Sequence, residues 1–146
     1  MTSIEIGGGR LVQAGWINLD PQHGEGPWRR LAQDAPWPTG DRSVDALRAS
    51  HVMEHIPAGD PRITVMNEAH RVLKTGAVFE VRVPDCASGT WHADSDPTHV
   101  SRWRVESFHY FDGTKSAHAD YGIRPWKTLE LRVQGDHEVL WRGTPR

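Results

Sequence analysis

Ten residues separate Gly9 from Asp20, and that interval limits the folds open to this chain. "SIEIGGG" (3–9) reads as a short apolar strand ending in three glycines, and "WINLD" (16–20) as a second strand ending in an acid. Parallel strands are normally joined by a crossover of a dozen or more residues. A full-length helix therefore has no room between these two.

Strands and helices alternate along the rest of the chain. After a loop rich in Pro, Gly and Trp, "RRLAQDA" (29–35) is a short polar helix candidate, and "VDALRAS" (44–50) reads as a third strand. "DPRITVMNEAHRVLK" (60–74) carries the strongest helical pattern. Asp60 suits its N-cap and Pro61 its first turn, Val65, Met66, Ala69, Val72 and Leu73 recur at helical spacing, and Gly76 follows as a stop. "AVFEVRV" (77–83) is a strand closed by Pro84–Asp85. Residues 86–125 are rich in loops, with one helical candidate around "RVESFHYF" (104–111). "WKTLELRVQGDHEVLWRG" (126–143) reads as an antiparallel hairpin around Gly135. The fold class is α/β: a Rossmann-like, mostly parallel sheet with a C-terminal antiparallel hairpin and reduced N-terminal helices, in one domain over 1–146.

Composition narrows the function. The net charge is −2; residues 1–96 hold 9 Lys/Arg against 13 Asp/Glu, and residues 97–146 hold 8 against 6. That is not the basic footprint of a protein that coats duplex nucleic acid. No apolar run approaches the roughly 18 residues of a membrane span. The start "MTSIEIGGG" lacks the basic and apolar regions of a signal peptide, so the expected setting is cytoplasmic. The single cysteine, Cys86, excludes an internal disulfide and a cysteine-rich zinc site.

In open sheets of this kind ligands sit outside the carboxyl ends of the strands. Here those ends are Gly7–Gly9, Asp20, Ser50–His55 and Pro84–Asp85. A glycine turn lets backbone approach a ligand closely, and an acid ending the next strand can accept two hydrogen bonds from a ribose diol. A tight turn with no ligand is the other reading of "GGG".

The order "IEIGGG…GWINLD…DAPWPTGDRSVDALRASHVMEHI…EAHRVLKTGAVFEVRVPD" resembles the small class I S-adenosylmethionine-dependent methyltransferases of the type-11-like group, over roughly residues 4–85. "DPTHVSRWRVESFHYF" (96–111) is similar to a segment found in some of them. The resemblance implies S-adenosylmethionine as cofactor and S-adenosylhomocysteine as product. It implies that Gly7, Gly8 and Gly9 shape the loop beside the amino acid part of the cofactor. Asp20 would hold the ribose hydroxyls. Asp34 would sit near the adenine, with Ala35 supplying backbone contacts, and Ser50 and His51 would border the methionine moiety. The chain departs from the family in its missing first helix, its curtailed first crossover, and Thr75 and Ala77 where the family writes Pro and Gly.

"HVMEH" (51–55) also spells H-x-x-E-H, a spacing that inverted zinc proteases use on a long helix to hold metal. Pro57 and Gly59 follow directly and a strand precedes, so no such helix is available. A third ligand would have to come from a distant histidine such as His92 or His99. The stretch is read as the lip of a pocket, and no metal is expected.

Methyl transfer requires alignment of nucleophile and methyl, and a base only for a hydroxyl or protonated amine. His51 is the first candidate by position and His99 in "DPTHV" the second; each could instead simply hydrogen-bond its own loop. Asp85 either orients an acceptor or serves a cap or turn. Trp37, Trp91, Trp103 and Trp126 lie at element ends, where rings line pockets or join the core, whereas Trp16 and Trp141 read as core.

The function expected is methyl transfer to a small-molecule or glycan-type acceptor. The alternative is a catalytically degenerate binding or assembly module on the same fold. A homo-oligomer is also expected, since Glu5, Arg48, Glu80 and Arg82 alternate with apolar residues and predict a sheet face without helical cover, against which a second copy could pack.

Overall fold

The computed structural model describes residues 1–88, 93–115 and 119–146. Six strands form one sheet: β1 (Ser3–Ile6), β2 (Ile17–Leu19), β3 (Val44–Ser50), β4 (Leu73–Pro84), β5 (Trp126–Gln134) and β6 (Glu138–Pro145). Their order is β2-β1-β3-β4-β6-β5. The first four run parallel, and β6 and β5 add the antiparallel hairpin. Gly135 and Asp136 take positive φ at its turn.

The ten-residue link from β1 to β2 holds a single 3-10 turn, Gly9–Leu11, where a longer crossover would carry a helix. The principal helix, α1 (Asp60–Val72), joins β3 to β4. It ends two residues short of the predicted limit because Leu73 already pairs with Val44 of β3, and Gly76, at φ 81°, bends the strand rather than stopping the helix. The second helix, α2 (Val105–Phe108), is a single turn.

No helix forms at 29–35. Bounded by Pro27 and Pro36, the segment is too short to offset the cost of helix nucleation, and turns link Asp34 to Leu31 and Ala35 to Gln33. It is anchored instead by α1. The Glu68 carboxylate accepts from the Trp37 N–H at 2.6 Å and from Arg71 at 2.5 and 2.9 Å, while Arg71 also donates to the Thr39 carbonyl and to Asp41. Burial pushes the Glu68 carboxyl up, but Arg71 and the Trp37 N–H outweigh it and hold the pKa below the usual value.

One face of the sheet builds the core. Ile4, Ile6, Leu47, Ala49, Phe79, Val81 and Val83 pack with Val65, Met66, Ala69 and Val72 of α1. Trp103, Phe108, Trp126 and Trp141 extend this core with ring centroids 5.0–5.3 Å apart. Trp37, Trp103 and Trp126 are thus core residues rather than pocket lining, and Trp91 lies outside the described residues. Trp16 is not in the core; it lies half-buried under the Arg48 guanidinium, 5.0 Å away.

The other face carries a row of charges in register across the sheet: Glu5, Arg48, Glu80, Arg142 and Glu130, each opposite the next on the neighbouring strand. Arg48 meets Glu5 at 2.8 Å, and Arg142 meets Glu80 at 2.6 Å and Glu130 at 2.8 Å; Arg82 joins Glu80 at 2.9 Å. The alternation read from the sequence therefore marks an ion-pair ladder. This face is polar, not a bare apolar surface awaiting a partner. No helix of the described residues is long and apolar enough to cross a membrane.

Candidate functional site

The carboxyl ends of β1, β3 and β4 open onto two adjoining cavities that share His55. The smaller, about 140 Å³, is an apolar notch walled by Ile6, Gly7, Leu19, Leu31, Ala32, Val52 and Ile56, among others. The larger, about 560 Å³, is polar and is lined by His51, Glu54, His55, Pro84, Ser95, Asp96, Pro97, His99 and His137.

The glycine turn sits beside the notch. Gly7 takes φ 64°, and a Cβ there would lie 2.3 Å from Val52 Cγ2, so only glycine permits the turn to pack against the end of β3. The Gly8 N–H donates to Asn18 Oδ1 at 3.0 Å and the Gly9 N–H to Asp20 Oδ2 at 3.1 Å. Asp20 Oδ1 accepts from the Gln22 and His23 N–H groups at 2.8 and 2.7 Å. Burial raises the Asp20 pKa, but these three N–H donors carry it below the usual carboxylate range. Asp20 thus ties the glycine turn to the loop after β2. Of roughly four acceptor directions on a carboxylate, three are occupied.

Asp34 and Ala35 are exposed and do not line the notch; Leu31, Ala32 and Gln33, three residues upstream, do. The segment that the resemblance sets near the adenine therefore borders the notch through Leu31, Ala32 and Gln33 and not through Asp34 or Ala35 themselves. Ser50 pairs with Arg82 inside the sheet and lies outside both linings.

Asp85 is buried with a turn role. Its Oδ1 accepts from the Ala87 N–H at 3.0 Å, and it is absent from the cavity lining that begins at Pro84.

His51 stands at the lip, as expected from position, with an uncommon φ of 53°. Such a conformation costs on the order of 1–3 kcal/mol in a non-glycine residue and clusters at functional sites. Its Nε2 contacts Glu138 Oε2 at 2.5 Å and its Nδ1 lies 3.6 Å from Glu54 Oε1. Glu54 raises the imidazole pKa, burial opposes, and Glu138 adds to the rise, leaving it above the usual value. Nothing in the sequence pattern around 138 singled out this glutamate; strand pairing of β6 with β4 sets it opposite Pro84.

The turn Met53–His55 is a 3-10 turn, so "HVMEH" forms no long helix. The DPTHV loop docks on it directly. Val100 and Ser101 N–H groups donate to the Glu54 carbonyl at 2.9 and 3.1 Å, and Ser101 Oγ and Trp103 Nε1 donate to the Met53 carbonyl. That docking sets His99 against His55, ring centroids 4.8 Å apart, with Glu54 beneath both. His99, one of the distant histidines named from the sequence, thus comes to stand beside Glu54 and His55 without a helix. His92, the other histidine considered, lies outside the described residues.

Neither a protein-family model nor a curated protein matches the sequence. Solved structures do. A SAM-dependent methyltransferase from Archaeoglobus fulgidus superposes with a TM-score of 0.67 at 14% identity, over 98% of this chain and 85% of that one. One from Aquifex aeolicus gives a TM-score of 0.64 at 13% identity, over 100% and 82%. A 16S rRNA adenine methyltransferase from Catenulisporales acidiphilia, crystallised with SAM as cosubstrate, gives 0.59 at 13% identity, over 99% and 86%. With superpositions that span nearly the whole chain, this chain has the fold of the class I S-adenosylmethionine-dependent methyltransferases.

Proposed function

We propose that the protein binds S-adenosylmethionine at the rim of β1–β3 and transfers its methyl group to an acceptor held in the larger cavity. The observation that carries this reading is the pair of adjoining cavities. One is apolar and flanked by a glycine turn, the other is wide and polar, and His55 lies on both. The lining suits the cofactor chemically. Leu31, Ala32, Val52 and Ile56 offer apolar walls to a flat ring, and Asp20 keeps one acceptor direction for a ribose hydroxyl. Size is the constraint. At about 140 Å³ the notch is below the roughly 300 Å³ of ordinary small-molecule sites, so full occupancy requires the loop at 21–35 to move outward.

When bound, the cofactor supplies an electrophilic methyl on a sulfonium. The chain's own residues orient the acceptor and handle its proton. The His51 Nε2–H donates to Glu138, which leaves Nδ1 as the atom to accept a proton from a hydroxyl or ammonium in the cavity. His99 reaches the same cavity with its Nδ1 donating to the Ala93 carbonyl. A cavity lined by His, Ser, Asp and Glu fits a hydroxyl-bearing small molecule or glycan, and a cytoplasmic setting belongs to the same proposal.

The degenerate binding or assembly module has one observation in its favour: three backbone N–H groups already engage the carboxylate that would clamp the ribose. Calorimetric titration with S-adenosylhomocysteine separates the readings. Heat at one site per chain supports the cofactor site, and no heat at millimolar ligand leaves the module.

A further inference from the structure

We propose that Glu54, His55 and His99 form a binding site for one divalent transition-metal ion on the floor of the larger cavity. One ligand atom from each of the three lies within 4.8 Å of the others. His55 Nε2 is 4.0 Å and His99 Nε2 3.9 Å from Glu54 Oε1. These separations are too long for hydrogen bonds, which run to about 3.2 Å. Ligands held tetrahedrally about 2.0–2.2 Å from one ion lie about 3.3–3.6 Å apart, so the two Glu54 separations close by about half an ångström on binding, and the widest of the three pairs, which reaches 4.8 Å at most, closes further through rotation of the imidazoles.

The histidines are oriented as metal ligands are. His55 Nδ1 lies 3.2 Å from the Thr98 carbonyl, and His99 Nδ1 lies 3.1 Å from the Ala93 carbonyl. A carbonyl only accepts, so each ring carries its proton on Nδ1 and turns an Nε2 lone pair toward Glu54. Second-shell bonds of this kind fix the tautomer of metal-bound histidine.

The carboxylate supplies an independent observation. Glu54 is 2% exposed, and its Oε2 has no hydrogen-bond partner among the described residues. A buried carboxylate is costly unless paired or bound to a cation. His51 Nδ1 approaches Oε1 only to 3.6 Å and is already committed on its other nitrogen to Glu138. Asp96 Oδ2 lies 3.7 Å from His99 Nε2, outside the group of three.

Two imidazoles and a carboxylate suit zinc, and also manganese, iron, cobalt and nickel, rather than calcium or magnesium. Three protein ligands leave at least one position for water or substrate oxygen, and here the same residues line the cavity. The site requires no bound cofactor, so its failure would not touch the methyltransferase reading.

The test uses the chelator-stripped 146-residue chain titrated with Co²⁺, read by visible absorption, and with Zn²⁺, read by calorimetry. One ion per chain is expected, with a rise in melting temperature. His55→Ala and His99→Ala, both checked as folded by circular dichroism, should each lose binding. Thr98→Val removes the hydroxyl that also meets His55 Nδ1, at 3.1 Å, and should weaken binding by about tenfold or more. His70→Asn, on α1 and outside the cavity, should bind as the parent does. No binding at 100-fold molar excess, or binding that survives both histidine substitutions, overturns the proposal.

Discussion

Arg71→Met tests how the loop that walls the notch is held. The substitution keeps most of the apolar stem and removes the guanidinium. Glu68, 7% exposed, then loses contacts at 2.5 and 2.9 Å and keeps only the Trp37 N–H. Breaking a buried pair from one side costs about 3–5 kcal/mol. The Arg71 side chain is 18% exposed and water can partly replace it, so the lower end of that range applies. The Asp41 contact adds little, since that carboxylate is 76% exposed and exposed pairs contribute about 0–1 kcal/mol. A loss of about 3 kcal/mol in a chain of this size lowers the melting temperature by about 6–12 °C. Urea and thermal unfolding followed by circular dichroism measure both. Glu68→Gln with Arg71→Met should recover part of the loss, with a coupling of at least about 1 kcal/mol. A single-variant cost under about 0.5 kcal/mol, or no coupling, would show that the pair does not anchor the loop.

Burial, with Arg124 and Arg42 nearby, holds the His70 imidazole below its usual pKa against the Pro125 carbonyl that accepts from it. The unfolded chain then binds the proton more tightly, so this contribution to stability is present above about pH 6.5 and falls away as pH drops through the lower folded pKa. His70→Asn should flatten that part of the stability–pH curve, and an unchanged curve would refute the assignment. A homodimer remains a proposal: the ladder pairs its charges within one chain, so association through that face would have to re-pair them between copies and should weaken with salt. Light scattering should show two chains at low salt and one at high salt, and a single chain throughout removes the dimer.

Much of the fold was legible because period-2 and helical patterns report burial directly. "AVFEVRV" gave both the strand and the polar partners of its outer face, and the spacing from Val65 to Val72 gave α1. The segment 29–35 misled because its composition permits a helix, while Trp37 and Glu68, distant in sequence, decide its path. The site was legible in part. Gly7 and His51 lie at the strand ends that pointed to them and His99 on the loop expected near the cavity, yet Asp34 and Ser50 line neither cavity, and Asp85 serves a turn. Glu138 and the convergence of His99 on Glu54 depend on tertiary pairing, which leaves no local signature. "HVMEH" forms no long helix, as Pro57 and Gly59 indicated, and only the docked loop brings His99 to it.

The cofactor claim is tested most directly by calorimetric titration of the full chain with S-adenosylhomocysteine, alongside Asp20→Asn. That variant keeps the Oδ1 acceptor for Gln22 and His23 but sets an amide against the Gly9 N–H and the ribose position. The account predicts one site per chain in the parent, a stabilisation that grows with ligand, and binding at least about tenfold weaker in the folded variant, the effect of about 1.4 kcal/mol. No heat in the parent at millimolar ligand would contradict it, and so would equal affinity in the two proteins.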